Sequence, residues 1–316
     1  LKAYIVTRIL SLIPVLLVVA IVAFFLIHLT PGDPAAVMLG SQATPEEVEQ
    51  LREQLGLNLP LYEQFANWFF GLLQGDFGWS IYYNKPVLTV FLEHLGPTLS
   101  LAVLAQAISM VLAIPMGISA ARKRGTKIDQ IFMALVMLGM AIPSFLMGLF
   151  LMQLFALKLK LFPVAGYEPL SSGLWNHLKF MILPATALGI IQTAIIARMT
   201  RSSMLDVLSA NFIKTAYAKG VKEKVIVYKH ALRNAAIPIL TVLGQEFGTL
   251  IAGAVVTETV FNLPGIGQLV IHAIEKRDYA VIQGTILLAA LSYLLVNLIV
   301  DLLYGIVDPR VRFGRK

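Results

Sequence analysis

Long stretches without an acidic or basic side chain dominate the chain, separated by shorter polar segments. Residues 9–29 form the first. Residues 95–121, 130–157, 180–197 and 279–300 repeat the pattern, and residues 234–257 make a further stretch broken only by Glu246. A helix over 9–29 is about 31 Å long, close to the ~30 Å hydrocarbon core of a bilayer. Six transmembrane helices are therefore expected. The first stretch is longer than a usual signal core and no small-residue cleavage site follows it, so a retained helix is expected.

The polar segments carry structure of their own. Within residues 30–97, Thr44-Pro45-Glu46-Glu47 reads as a helix start, with Thr44 as N-cap, Pro45 in the first turn and Glu47 completing a capping box. Val48, Leu51 and Leu55 follow on one face, and Gly56 ends the helix. Phe65, Trp68, Phe69 and Leu72 then form an aromatic stripe, which suits either an amphipathic segment on the bilayer or bundle, or a docking surface for an external partner. Between Arg198 and Arg233, Leu205, Leu208, Phe212 and Ala216 recur at helical spacing, Gly220 interrupts, and a basic helix resumes. This predicts two short amphipathic helices hinged at a glycine. On pattern alone, they are either a basic loop drawn to anionic lipid or a docking element for a cytoplasmic partner.

Composition strengthens the membrane reading. Of 316 residues, 58% are hydrophobic and 14% charged, against about 45–50% and ~25% in soluble domains, and the mean hydropathy is +0.78. A typical soluble enzyme and a disordered chain are both excluded. With no cysteine, disulfides, thiolate metal sites and cysteine nucleophiles are excluded too. The net charge of +7 is explained by topology. Eighteen Lys and Arg residues fall at the two termini, at 122–127 and at 198–233, whereas the alternate short segments hold five. By the positive-inside rule both termini and the 198–233 loop are cytoplasmic, and residues 30–97 are external. No nucleic-acid partner is needed.

Polar groups inside the expected spans are few. Glu246, beside Gln245, lies mid-span, where a carboxylate costs about 2.5–3.5 kcal/mol on an isolated helix. It is either a hydrogen-bonded structural group or the lining of a water-filled path. Asp301 falls near the cytoplasmic end of the last span, in a wet interfacial position. Gln106, Gln153, Gln192 and Asn297 could line a path or join helices. Pro115, Pro143, Pro184 and Pro238 fall in or beside spans, as kinks or as packing. No phosphate-binding G-x-x-x-x-G-K-[ST], H-E-x-x-H or G-x-S-x-G is present. His28, His94, His177, His230 and His272 are spaced unlike a compact ligand set. No catalytic residue, metal site or bound cofactor is expected, and the chain is not expected to be an enzyme.

Residues 214–240 resemble the cytoplasmic loop of ABC-importer permeases, and more narrowly of the dipeptide/oligopeptide/nickel permease family in its first-subunit type. Four further stretches agree in order: Thr30-Pro31-Gly32-Asp33-Pro34; Gly75-Asp76-Phe77-Gly78 ahead of Lys85-Pro86-Val87; residues 257–284; and Asp308-Pro309-Arg310. One departure is that the general importer pattern has Glu-Ala-Ala where this chain has Lys214-Thr215-Ala216, which bears on one ATPase contact rather than on docking.

The resemblance implies an all-α, six-span permease subunit in a bacterial or archaeal cytoplasmic (inner) membrane. It would be organised as a first span at 1–29, an external loop at 30–97, a permease core at 98–307 with a coupling loop at 199–235, and a tail at 308–316. Its partners would be a homologous second permease subunit, two nucleotide-binding ATPase subunits that hold ATP and Mg, and an extracytoplasmic solute-binding protein. Leu208, Phe212, Ile213, Lys214, Thr215, Ala216 and Gly220 are the expected ATPase-coupling residues. Gln245 and Glu246, with Asn262 and Pro264 in the external 257–284 stretch, are the expected path or gate. Cargo would be a peptide first and a nickel or metal chelate second. The rivals are a proton-coupled secondary transporter using Glu246 and Asp301, and an intramembrane hydrolase, for which no nucleophile–base pair exists.

Overall fold

A computed structural model describes residues 2–29, 33–39, 43–54 and 56–307. The motifs at 30–32 and 308–310, Leu55, and the side chains of His28 and Asp301 lie outside the described residues. The described chain is almost entirely helical. Helices α1 (Lys2–Leu29), α2 (Pro34–Leu39), α3 (Pro45–Gln54) and α4 (Leu61–Leu73) lead to a two-residue hairpin, β1 (Trp79–Ser80) and β2 (Lys85–Pro86). Then come α5 (Val87–Arg122), α6 (Lys127–Ala141), α7 (Ser144–Leu151), α8 (Leu174–Leu208), α9 (Asn211–Ala218) and α10 (Glu223–Val225). The chain closes with α11 (Leu232–Gly253), α12 (Val255–Phe261), α13 (Ile266–Lys276) and α14 (Tyr279–Val307).

Among the described residues four helices are singly long and apolar enough to cross a membrane: α1, α5, α8 and α14. Two bent pairs, α6 with α7 and α11 with α12, bring the number to six if each pair is one span. Helices α5 and α8 form the centre. Leu101, Ala102, Ala105, Met181, Ala185 and Ala187 are all fully buried in one apolar cluster there. Exposed Ile13, Val18, Val22 and Phe25 give α1 the apolar surface a lipid-facing helix needs.

The α6–α7 pair departs from the straight helix expected over 130–157: its axis turns by 98°. Pro143 has no N–H to donate, and it pushes the preceding Ile142 into extended backbone (φ −93°, ψ 120°). Pro115, Pro184 and Pro238, by contrast, stay inside continuous helices.

Glycines set the rotation of α11. A Cβ at Gly244 would lie 2.6 Å from Val300, and one at Gly248 would lie 2.7 Å from the Tyr293 ring. The Gly244-x-x-x-Gly248 stripe therefore lies directly on α14, as small residues do in membrane packing. Glu246, two residues from each glycine, is turned about 200° away.

The expected capping box is present. The Thr44 N–H donates to Glu47 Oε2 at 2.8 Å, and the Glu47 N–H to Thr44 Oγ1 at 3.3 Å. The aromatic stripe of α4 packs on the bundle: Phe65 and Trp68 meet Phe24 of α1 at 5.2 and 5.7 Å between ring centroids, and Trp68, Phe69 and Leu72 cover Ala20, Ala23 and Leu287. Helix α5 starts at Val87, earlier than the uncharged run, because Glu93 and His94 occur within its first two turns without breaking it.

A charged clasp joins α6 to α8. Arg201 donates from Nε and Nη2 to the two Asp129 oxygens at 2.7 and 2.8 Å, and the Gly125 N–H donates to the same carboxylate at 3.0 Å. Asp129→Ala strands a largely covered guanidinium and removes charge-assisted hydrogen bonds worth ~1.5–3 kcal/mol. A lower Tm of the detergent-purified chain is expected, partly restored when Arg201→Leu is added. An unchanged Tm in the single variant would show the clasp to be dispensable.

Candidate coupling surface and membrane cleft

The loop after α8 folds differently from its periodicity. Leu205 and Leu208 are the last turn of α8, not the first of a new helix. Ser209 donates its hydroxyl to the Asp206 carbonyl at 2.8 Å, and Ala210 is extended (φ −69°, ψ 149°), so the chain breaks before α9 begins. Gly220, at φ +75°, supplies the left-handed residue that ends α9. The expected second short helix is instead continuous with α11: α10 runs through a π-helical turn, Ile226–Ala231, into Leu232.

Helix α9 has two faces. Ile213 is 0% exposed, inserted among Met204, Ile226, Val227 and Ala231, while Leu208 and Ala216 pack beside this cluster. Phe212 and Tyr217 are 48% and 51% exposed, and Lys214 and Thr215 share the open side. The expected coupling residues thus divide into anchors (Ile213, Leu208, Ala216) and an uncovered face (Phe212, Lys214, Thr215). The base of the unit is tied to α5, since Arg122 donates twice to Glu223 Oε1, at 2.6 and 3.0 Å.

Within the bundle, the α6–α7 bend opens a cleft of about 380 Å³ against α8 and α11. Its walls include Pro143, Ser144, Gln192, Glu246 and Thr249. The Glu246 backbone carbonyl accepts from Gln192 Nε2 at 3.1 Å and from the Thr249 hydroxyl at 2.7 Å. Gln245 is exposed and does not line this cleft.

At the opposite end from α9, a tight turn joins α12 to α13. Asn262 is left-handed (φ 50°) and exposed, and its side-chain oxygen accepts from Gln268 Nε2 at 2.9 Å. Pro264 is half-buried. The centre of this turn is Glu258, 1% exposed. Its Oε2 accepts the N–H groups of Gly267 and Gln268 at 2.8 and 3.1 Å, capping the α13 N-terminus, and its Oε1 accepts from the Thr98 hydroxyl at 2.6 Å. Asp278 does the same for α14, accepting the Val281 N–H at 3.3 Å and tying in the hairpin through Ser80 Oγ (2.6 Å) and the Tyr82 N–H (3.2 Å). Beside it, burial first and then neighbouring Tyr82 and Asp278 push the Tyr83 phenol above its ordinary range. The sequence reading missed both carboxylates. Asp278 had a signal, an acidic residue directly before an apolar run.

Comparison with known proteins decides what this arrangement belongs to. Residues 113–313 match the family described as binding-protein-dependent transport system inner membrane component, and residues 1–102 match the N-terminal region of such components. The chain belongs to this family. The permease is 43% identical over 310 residues to a probable peptide ABC transporter permease protein, y4tP, of Sinorhizobium fredii, covering 98% of this chain and 99% of that one. It is 41% identical to the dipeptide transport system permease protein DppB of Alkalihalophilus pseudofirmus, and 40% to the glutathione transport system permease protein GsiC of Escherichia coli K12, at the same coverages. The inward-facing MetNI methionine ABC transporter has a chain of similar fold, with a TM-score of 0.59 at 16% identity, covering 69% of this permease and 96% of that chain. The family reached from the sequence motifs is therefore borne out, as is the all-α membrane permease fold.

Proposed function

We propose that the permease forms half of the translocation path of an ATP-driven importer of di- and oligopeptides, in the cytoplasmic membrane of a bacterium or archaeon. It pairs with a homologous permease, receives cargo from an extracytoplasmic binding protein, and is driven by two ATPase subunits that supply ATP and Mg chemistry. On this reading the bundle has six spans with both termini and α9 on the cytoplasmic side. Residues 30–97 and the α12–α13 turn lie outside, the latter with Asn262 and Pro264 at the outer gate, and Gln245 and Glu246 near the path.

The division of α9 into a buried anchor and an open face that carries Phe212 supports the reading. A helix pinned by Ile213 to α8 and α11 moves as one body with two membrane helices. Its free side, Phe212 with Lys214 and Thr215, can seat in a groove of an ATPase, so that ATPase closure displaces the spans. The peptide cargo rests on the names of the full-length relatives. Only contacts that differ between inward- and outward-open states can drive such a cycle. Reconstitution of the permease with its three kinds of partner in proteoliposomes tests the proposal. ATP-dependent uptake of trialanine is expected. Uptake by the permease alone, driven by a pH gradient, would replace it with the secondary-transporter reading.

A further inference from the structure

Resting on the peptide reading above, we infer that the cleft at the α6–α7 bend is a transit site for an ammonium group of the cargo, held by Glu246 and Gln192.

Three observations converge there. First, α11 is rotated by its glycine stripe so that Gly244 and Gly248 lie on α14, which turns Glu246 to the side where the cleft opens. Second, Gln192 is 4% exposed and lines the same cleft, and its Oε1, itself buried, has no hydrogen-bond partner among the described residues. The orientation of that amide is settled by its other end: a backbone carbonyl, that of Glu246, can only accept, so the nitrogen must face it and the oxygen is left free. Third, the polar residues lining the cleft are Glu246, Gln192, Ser144 and Thr249, and no Lys, Arg or His lines it. No ion pair to Glu246 occurs among the described residues.

These groups put one negative charge and an unpartnered amide oxygen beside two hydroxyls, with no counter-charge. An ammonium group supplies the positive charge that the site lacks, with three N–H donors for its oxygens. The remaining walls, including Met140, Ile142, Leu188 and Ile191, are apolar and contact side chains without selecting among them. Selection for a cationic end with tolerance of the rest suits a cargo whose members share a free amino terminus.

The test uses the assembled importer in nanodiscs, without binding protein, titrated calorimetrically with three probes: trialanine, N-acetyl-trialanine, and N-acetyl-dialanyl-lysine. Trialanine is expected to bind wild type at least tenfold tighter than N-acetyl-trialanine. Glu246→Gln should erase that difference, and Glu246→Asp should retain most of it. Gln192→Leu should weaken trialanine and leave N-acetyl-trialanine unchanged. Glu246-dependent binding of the lysine peptide would extend the site to any ammonium, whereas binding of trialanine alone would assign it to the amino terminus.

Equal affinities for trialanine and its acetylated form in wild type, or an equal loss of both in Glu246→Gln, would overturn the inference. So would failure of wild type to bind trialanine at all while ATP-driven uptake in proteoliposomes proceeds. In each of these cases the peptide reading stands if uptake persists. If the complete importer takes up no peptide, it is the peptide reading itself that fails.

Discussion

Gly267→Val is expected to eliminate folded permease from the membrane. A Cβ at this position would lie 2.5 Å from Val255 Cα and 2.9 Å from Glu258 Oε2, and neither backbone nor a buried, hydrogen-bonded carboxylate can move aside cheaply. The substitution would drive α13 off the carboxylate that caps it. Glu258→Ala attacks the same joint from the other side. It removes the acceptor of two backbone N–H groups and of the Thr98 hydroxyl, which itself accepts the Ile266 N–H at 2.9 Å. Hydrogen bonds to a charged group contribute ~1.5–3 kcal/mol each, and the orphaned N–H groups add a desolvation cost, so a loss of about 3 kcal/mol or more is expected. Fluorescence-detected size-exclusion chromatography should give little monodisperse Gly267→Val and a strongly lowered Tm for Glu258→Ala. Wild-type yield and Tm in both would remove Glu258 from its structural role.

Phe212→Asp is the second large effect. A half-exposed aromatic at the centre of a proposed docking face is the kind of residue whose loss costs 2 kcal/mol or more at an interface, and a carboxylate in its place adds a buried charge. ATPase affinity should fall at least 100-fold, about 2.7 kcal/mol, while the Tm of the isolated permease is unchanged. Ile213→Ala is the contrast. It leaves a cavity in the permease's own core and should cost about 2–4 kcal/mol of stability, with docking lost only as a consequence. Equal ATPase affinity in Phe212→Asp and wild type would move the docking face elsewhere.

The contrast between these two neighbours marks how far the sequence could be read. Helical spacing grouped Leu205, Leu208, Phe212 and Ala216 on one apolar face with Ile213 beside it, but periodicity cannot say whether a face meets its own chain or another. It also could not see that Ser209 and Ala210 break the run, because the 3–4 spacing of Leu205, Leu208, Phe212 and Ala216 continues across the break. The spans were legible because hydrocarbon demands long uncharged runs, and the Thr44–Glu47 capping box because its bonds are local. The bend at Pro143 was legible as a proline but not as a 98° turn, since a proline marks a break in a helix without fixing its angle. Glu258 was unreadable for a different reason: it caps a helix eight residues further on and reaches Thr98, 160 positions away. Gly244 and Gly248 form a local small-x-x-x-small signal that was available and went unused. Once read, it explains why Glu246 faces the cleft.

The most direct test of the central claim is purification of a tagged permease from native membranes in mild detergent, followed by identification of bound subunits and an ATPase assay. The account predicts recovery of a second permease and of nucleotide-binding subunits with ATPase activity, both lost or strongly reduced in Phe212→Asp. A chain that purifies without ATPase partners and still transports in proteoliposomes would contradict it.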